Sequence, residues 1–98
     1  MPGPVDVVIL IPTPLRRFTD GESRLAASAG TVAELFDVLD ARYPGLGERL
    51  RDDSGEIRRF VNVFINGQNI RDGDGAQSTL HSGDEVGIIP AMAGGAVR

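Results

Sequence analysis

The sequence contains no cysteine, no lysine and no tryptophan, and it has a single histidine, His81. The absence of cysteine excludes disulfides, thiol nucleophiles and thiolate metal sites. One imidazole excludes a cluster of histidine ligands and disfavours acid–base catalysis by histidine. Because no side-chain amine is present, copies of this chain cannot be joined to one another through lysine. We therefore predict neither a catalytic residue nor a metal site in this chain.

The sequence also lacks a long apolar run and an excess of positive charge. The longest apolar run, residues 7–11, is far too short to cross a bilayer. The N-terminus lacks the basic segment and long apolar core of a secretory signal. The formal charge of −4 disfavours a general nucleic-acid binder, which needs a basic face. We expect a cytoplasmic protein that binds neither membranes nor nucleic acid.

Ninety-eight residues, of which 41% are hydrophobic and 24% charged, are sufficient for one small domain and no second core. Residues 1–90 contain all the periodic apolar segments and are predicted to form that domain. Residues 91–98 carry no periodic or bulky pattern and are predicted to form a flexible tail.

The apolar pattern of the domain predicts five strands and one main helix. The strands are predicted over residues 5–11, 24–29, 59–65, 68–71 and 85–89, the helix over residues 31–42, and a short helical turn over residues 46–50. Thr31 and Glu34 form a capping-box pattern, in which each side chain accepts a hydrogen bond from the backbone N–H of the other. Asn66-Gly67 is typical of a tight hairpin turn.

One helix packed across a mixed sheet buries these faces, which is an α+β arrangement. A right-handed crossover predicts that the strand after the helix lies parallel to the first strand. The order of elements is the β-grasp, or ubiquitin-like, pattern.

Two aromatic residues of the third strand are candidates for a docking surface. Phe60 and Phe64 alternate with Val61, Val63 and Ile65, so the two groups face opposite sides of the sheet. If the helix covers the valines, the aromatic side chains lie on a partly open surface near the base of the tail, together with Met92. The alternative is that a loop or residues 46–50 cover them.

The tail following Pro90 reads Ala91-Met92-Ala93-Gly94-Gly95-Ala96-Val97-Arg98. A Gly-Gly segment has no Cβ atoms, so it is narrow enough to thread into an active site and present a backbone carbonyl. A mobile terminus is the alternative.

Residues 80–90, closing on Ala93-Gly94-Gly95, resemble the MoaD/ThiS family of ubiquitin-like sulfur carriers. Residues 11–13, 59–63 and 90–95 are most similar to the mycobacterial-type carrier that feeds cysteine synthesis.

The resemblance implies a sulfur-carrying role for Gly95, with Gly94 keeping the threading segment narrow. In this family a ubiquitin-activating-type adenylyltransferase uses ATP to adenylate the terminal glycine, which is then converted to a thiocarboxylate. The sulfur passes to an accepting synthase, and the similarity to the mycobacterial-type carrier implies a pyridoxal-phosphate cysteine synthase in that role. The resemblance thus implies a protein substrate rather than an enzyme, with no bound cofactor.

This sequence departs from the family pattern because Ala96-Val97-Arg98 follows Gly-Gly. Related carriers with such extensions imply a JAMM-type zinc protease, which would cut between Gly95 and Ala96. Other readings remain open: a relative that carries no sulfur, an interaction domain with an inert tail, or the small subunit of molybdopterin synthase. A ubiquitin-like modifier that forms amide bonds through Gly95 is a further alternative.

Overall fold

A computed structural model describes residues 3–90 of the chain. Its strands are β1 (Val5–Leu10), β2 (Arg24–Ala29), β3 (Val61–Ile65), β4 (Gln68–Asn69) and β5 (Glu85–Pro90), and its α-helices are α1 (Val32–Arg42) and α2 (Pro44–Leu50). Short 3₁₀ helices cover Thr13–Phe18, Ile70–Asp72 and Gly75–Gln77. The predicted tail, with Met92, Gly94, Gly95 and Ala96, lies outside the described residues.

The five strands form one mixed sheet in the order β2-β1-β5-β3-β4. Strand β5 pairs in parallel with β1 and antiparallel with β3, while β2 and β4 are antiparallel edge strands. The prediction that the strand after the helix lies parallel to β1 is wrong. The position beside β1 is taken by β5, whose Val86 and Ile88 are fully buried, and β3 joins the outer side of β5 in the opposite direction.

Helix α1 begins at the predicted cap and packs its apolar side on the sheet. The Thr31 hydroxyl accepts a hydrogen bond from the Glu34 N–H at 3.2 Å. The Glu34 carboxylate instead accepts from the Gly30 N–H at 2.9 Å, one residue before the predicted partner, because Gly30 has no Cβ to obstruct it. The largest fully buried side chains come from the helices and from the inner face of the sheet: Val7, Ile9, Ile11, Val32, Leu35, Phe36, Leu39, Leu46, Leu50, Val61, Val63 and Ile88.

Helix α2 starts at Pro44, two residues before the helical turn predicted over residues 46–50. Proline is tolerated in the first turn of a helix because the N–H it lacks has no partner there. Leu46 and Leu50 of α2 are buried in the core. They therefore do not cover the opposite face of the sheet.

The β3–β4 hairpin turns at Asn66 and Gly67 as predicted, with φ values of 50° and 88°. These left-handed values suit asparagine and glycine and match the twist of a two-residue hairpin. Strand β4 is shorter than predicted, because the chain enters a 3₁₀ helix at Ile70 and buries that side chain.

Candidate functional site

One face of the sheet points away from α1 and α2, and we call it the open face. Along β1, β3 and β5 its side chains alternate with the buried ones. Its members are Asp6, Val8, Leu10, Arg24, Ala26, Ser28, Asn62, Phe64, Glu85, Gly87 and Ile89. Every one of them is exposed or half-buried, so the open face is accessible to a partner.

Large apolar side chains are exposed at one end of this face. Phe60 is 49% exposed and Ile89 is 53% exposed, whereas Phe64 is half-buried. Phe60 precedes β3 rather than belonging to it as predicted, since the Val61 N–H donates to the Arg58 carbonyl at 2.9 Å and closes a turn. The sequence missed Ile89 because only the register shows which of the two successive isoleucines faces outward.

The exposed apolar end lies where the chain leaves the sheet. Val61 pairs with Pro90, the last residue of β5, so Phe60 lies beside the point of departure. Gly95 comes five residues after Pro90, a distance of about 17 Å at most in an extended chain. The structure thus brings Phe60 and Ile89 to the origin of the segment that carries Gly94 and Gly95.

Arg71 fixes the segment that carries Phe60. One guanidinium nitrogen donates to Asn62 Oδ1 at 2.7 Å, and the other donates to the backbone carbonyls of Arg58 and Arg59 at 3.2 and 3.1 Å. The side chain therefore ties the 3₁₀ helix after β4 to the turn before β3. No local pattern in the sequence identifies this arginine, because its three acceptors lie 9 to 13 residues away.

A second network fixes the start of β5. Asp84 is buried, and its carboxylate accepts hydrogen bonds from Asn66 Nδ2 and from the His81 backbone N–H, both at 2.8 Å. Asn66 Oδ1 in turn accepts from the Glu85 N–H at 3.0 Å. The hairpin turn, the loop before β5 and the first residue of β5 are thereby joined. The His81 ring itself is exposed, with Nδ1 at 3.9 Å from the carboxylate.

Within residues 3–90, no group of three or more histidine, aspartate or glutamate side chains is placed to hold a metal ion. In the same part of the chain, no helix has the length and apolar character needed to cross a membrane.

Asp52 accepts hydrogen bonds from the Ser54 hydroxyl and from the Ser54 and Glu56 backbone N–H groups. The hydrogen bond from the hydroxyl contributes most to holding the pKa of Asp52 below its usual value. Asp52 therefore stabilises the turn over residues 52–56.

Comparison with known proteins extends over nearly the whole chain. The ThiS family matches residues 9–95. The sulfur carrier protein CysO of Mycobacterium tuberculosis is 40% identical over 93 residues, covering 93% of this chain and 100% of CysO. Small archaeal modifier protein 3 of Haloferax volcanii is 42% identical over 65 residues, covering 66% of this chain and 70% of that protein.

The structure is similar to a chain in the crystal structure of the Amycolatopsis orientalis BexX/CysO complex, with a TM-score of 0.83 and 36% identity. That match covers 90% of this chain and 98% of the other. The β-grasp fold is therefore confirmed, and the likeness in sequence extends through the Gly-Gly segment. The chain belongs to the ThiS family of ubiquitin-like proteins and is a sulfur carrier protein of the CysO type rather than an enzyme.

Proposed function

We propose that Gly95 carries sulfur as a C-terminal thiocarboxylate after Ala96-Val97-Arg98 has been removed. The observation that carries this proposal is the end of the family match at residue 95, which leaves the three following residues outside it. In the longer chain the Gly95 carbonyl belongs to an amide and has no carboxylate to activate. Trimming by a JAMM-type zinc protease between Gly95 and Ala96 therefore precedes sulfur loading.

The loading chemistry takes place on partner enzymes. The Gly95 carboxylate attacks the α-phosphorus of ATP on a ubiquitin-activating-type adenylyltransferase, releasing pyrophosphate and forming an acyl-adenylate. The terminal sulfur of a donor persulfide then attacks the acyl carbon and AMP leaves. A thiol cleaves the remaining S–S bond, forms a disulfide with the donor sulfur and releases the thiocarboxylate. This chain supplies the acyl carbon and the surface that positions it.

The part of the open face around Phe60, Phe64 and Ile89, which excludes the β2 edge with Ala26, is the surface that we propose docks on the adenylyltransferase. Phe60 and Ile89 are exposed at the origin of the tail, and Phe64 is half-buried beside them. Full burial of one such side chain contributes about 1.5 to 3 kcal/mol, and a few buried anchors of this kind dominate many interfaces. Met92 would extend the same contact along the tail.

We propose cysteine synthesis as the destination of the sulfur, through a pyridoxal-phosphate synthase that accepts it from the thiocarboxylate. The 40% identity to CysO over 93 residues supports this destination. A different sulfur-containing product made by another accepting synthase would use the same carrier chemistry.

The test uses intact-mass measurement of three forms of the chain, which end at Gly95, at Ala96 and at Arg98. Each is incubated with ATP, the adenylyltransferase and a persulfide donor, and a reaction without ATP serves as the control. We expect the replacement of one oxygen by sulfur only in the form that ends at Gly95. The form ending at Ala96 keeps a free carboxylate, so it separates the need for Gly95 from the need for a free end. Sulfur loading of the Arg98 form, or none in the Gly95 form, contradicts the proposal.

A second candidate function is that of a protein modifier that forms amide bonds through Gly95. The 42% identity to small archaeal modifier protein 3 over 65 residues favours it. An acyl-adenylate is attacked equally well by an amine, and the absence of lysine in this chain would direct the reaction to lysines of other proteins. Adducts on target lysines would favour the modifier, whereas sulfur transfer without adducts would favour the carrier.

A further inference from the structure

Gly87 lies in β5, the middle strand of the sheet, and faces the open side. Its neighbours Val86 and Ile88 are fully buried on the helix side, so the direction in which Gly87 has no side chain is outward. Leu10 of β1 and Phe64 of β3 are its register partners on either side, and both are half-buried. Gly87 therefore forms the floor of a recess with one aliphatic and one aromatic wall.

Nothing within the described residues requires glycine at this position. Glycine weakens a strand interior, and it usually marks a bulge, an unusual backbone angle or a close approach by another group. The pairing of β5 with β1 and β3 runs without interruption, which excludes a bulge. The φ angle of Gly87 is not in the left-handed region, and a Cβ added there would meet no atom within 4 Å. The remaining reason for a glycine is a group that approaches from outside the described residues.

The dimensions of the recess suit one aliphatic side chain. Neighbouring strands lie about 4.8 Å apart, so the backbones of Leu10 and Phe64 are separated by roughly 10 Å. An apolar group entering between them would contact apolar walls on both sides. Arg24 lies in the same row as Gly87, beyond Leu10, and Glu85 is the preceding outward residue of β5. The exposed side chains of Arg24 and Glu85 approach to 3.9 Å, which gives the recess a charged border on the β2 side.

Resting on the function proposed above, we propose that this recess receives a leucine-, isoleucine- or methionine-sized side chain projecting from the adenylyltransferase. The recess lies next to the exposed Ile89, the next outward residue along β5, and β5 leads to the segment that the enzyme must bind. Gly95 lies eight residues after Gly87, so the acyl carbon is at most about 28 Å from the recess. The projecting side chain lies within that distance of the bound ATP.

Filling the recess separates this proposal from simple docking on an apolar surface. Gly87→Leu adds an aliphatic side chain where the enzyme's own would sit. On a plain apolar surface, the added side chain would enlarge the contact and strengthen binding. In an occupied recess, it would displace the enzyme's side chain and weaken binding. The direction of the change in affinity therefore distinguishes the two.

The experiment measures the dissociation constant of the adenylyltransferase for the chain ending at Gly95 and for its Gly87→Leu variant. Ala26→Leu is the matched control, because Ala26 is exposed on the same face two strands away. Thermal unfolding of each variant shows whether it is folded. We expect Gly87→Leu to unfold at the same temperature or higher and to bind about ten- to a hundredfold more weakly. We expect Ala26→Leu to bind like the parent chain.

Unchanged or tighter binding by a folded Gly87→Leu variant would overturn the proposal that the recess receives a side chain of the enzyme. If leucine lowers the unfolding temperature, Gly87→Ala adds a single methyl group, and an unchanged affinity in that variant would overturn it equally. A loss seen only with the sulfur-accepting synthase would overturn the choice of partner. Failure of the parent chain to be adenylated contradicts the proposed function itself, whereas normal adenylation of parent and Gly87→Leu alike contradicts only the recess.

Discussion

Replacing Asp84 with alanine removes the acceptor that joins three segments at the start of β5. The carboxylate accepts two hydrogen bonds of 2.8 Å, and its side chain is only 11% exposed. A hydrogen bond to a charged group contributes about 1.5 to 3 kcal/mol. Because the donors Asn66 and His81 belong to exposed residues, water replaces part of the loss and the lower value applies. The expected loss for Asp84→Ala is about 3 kcal/mol, or about 15 °C in the midpoint of thermal unfolding.

Thermal and urea unfolding at neutral pH measure this loss, and Asp74→Ala is the matched control. Asp74 makes no side-chain capping hydrogen bond, so its replacement should change the free energy of unfolding by less than about 0.5 kcal/mol. Asn66→Gly removes the amide that donates to Asp84 and accepts from the Glu85 N–H. Glycine is also suited to the φ of 50° at this position. The double variant should lose less stability than the sum of the two single variants. A midpoint for Asp84→Ala within about 3 °C of the parent would refute the reasoning.

Two further predictions concern the turn after α2 and the contact between the helices. The pKa of Asp52 is lowered chiefly by its hydrogen bond from Ser54, so its stabilising effect is complete above the ordinary value and is lost as the pH falls through the lowered one. The difference in unfolding temperature between the parent and Asp52→Asn should therefore vanish as the pH falls below 3.8, and a constant difference would contradict it. A Cβ at Gly47 would overlap the Asp40 carboxylate. Although alanine favours the helix more than glycine does, Gly47→Ala should therefore lower the free energy of unfolding by about 1 kcal/mol. Asp40→Ala should recover that loss in urea unfolding of the double variant.

The elements that the sequence predicted best are those specified by neighbouring residues. Strand β2 has the predicted bounds, Arg24–Ala29, and the turn just before it is formed by two adjacent residues at positive φ, Asp20 and Gly21. The Asn66-Gly67 turn is likewise encoded by two residues that tolerate positive φ. The predicted direction of β3 was wrong because the direction depends on which strand lies beside β1. That choice is made by burial of β5, which is distant from β1 in sequence.

In the candidate site, too, the features encoded by neighbouring residues could be predicted, and those that depend on distant segments could not. The outward direction of Phe64 follows from alternation within β3, and the structure places it on the open face. Arg71 and Ile89 required the folded structure, since the acceptors of one and the exposure of the other depend on pairing between distant segments. The roles of Gly94, Gly95 and Ala96 stay predictions that rest on the family pattern, because these residues lie outside the described part.

The position of β5 places the proposed docking surface and the proposed sulfur-carrying segment on one strand and its continuation. Its inward side chains, Val86 and Ile88, anchor it in the core, and β1 and β3 hold it on both edges. Its outward positions, Gly87 and Ile89, belong to the open face. A partner that binds this face would therefore contact the strand that leads into the segment for which we propose the sulfur chemistry. In the proposed complex, only the seven residues between Gly87 and Gly95 would separate the docked strand from the acyl carbon.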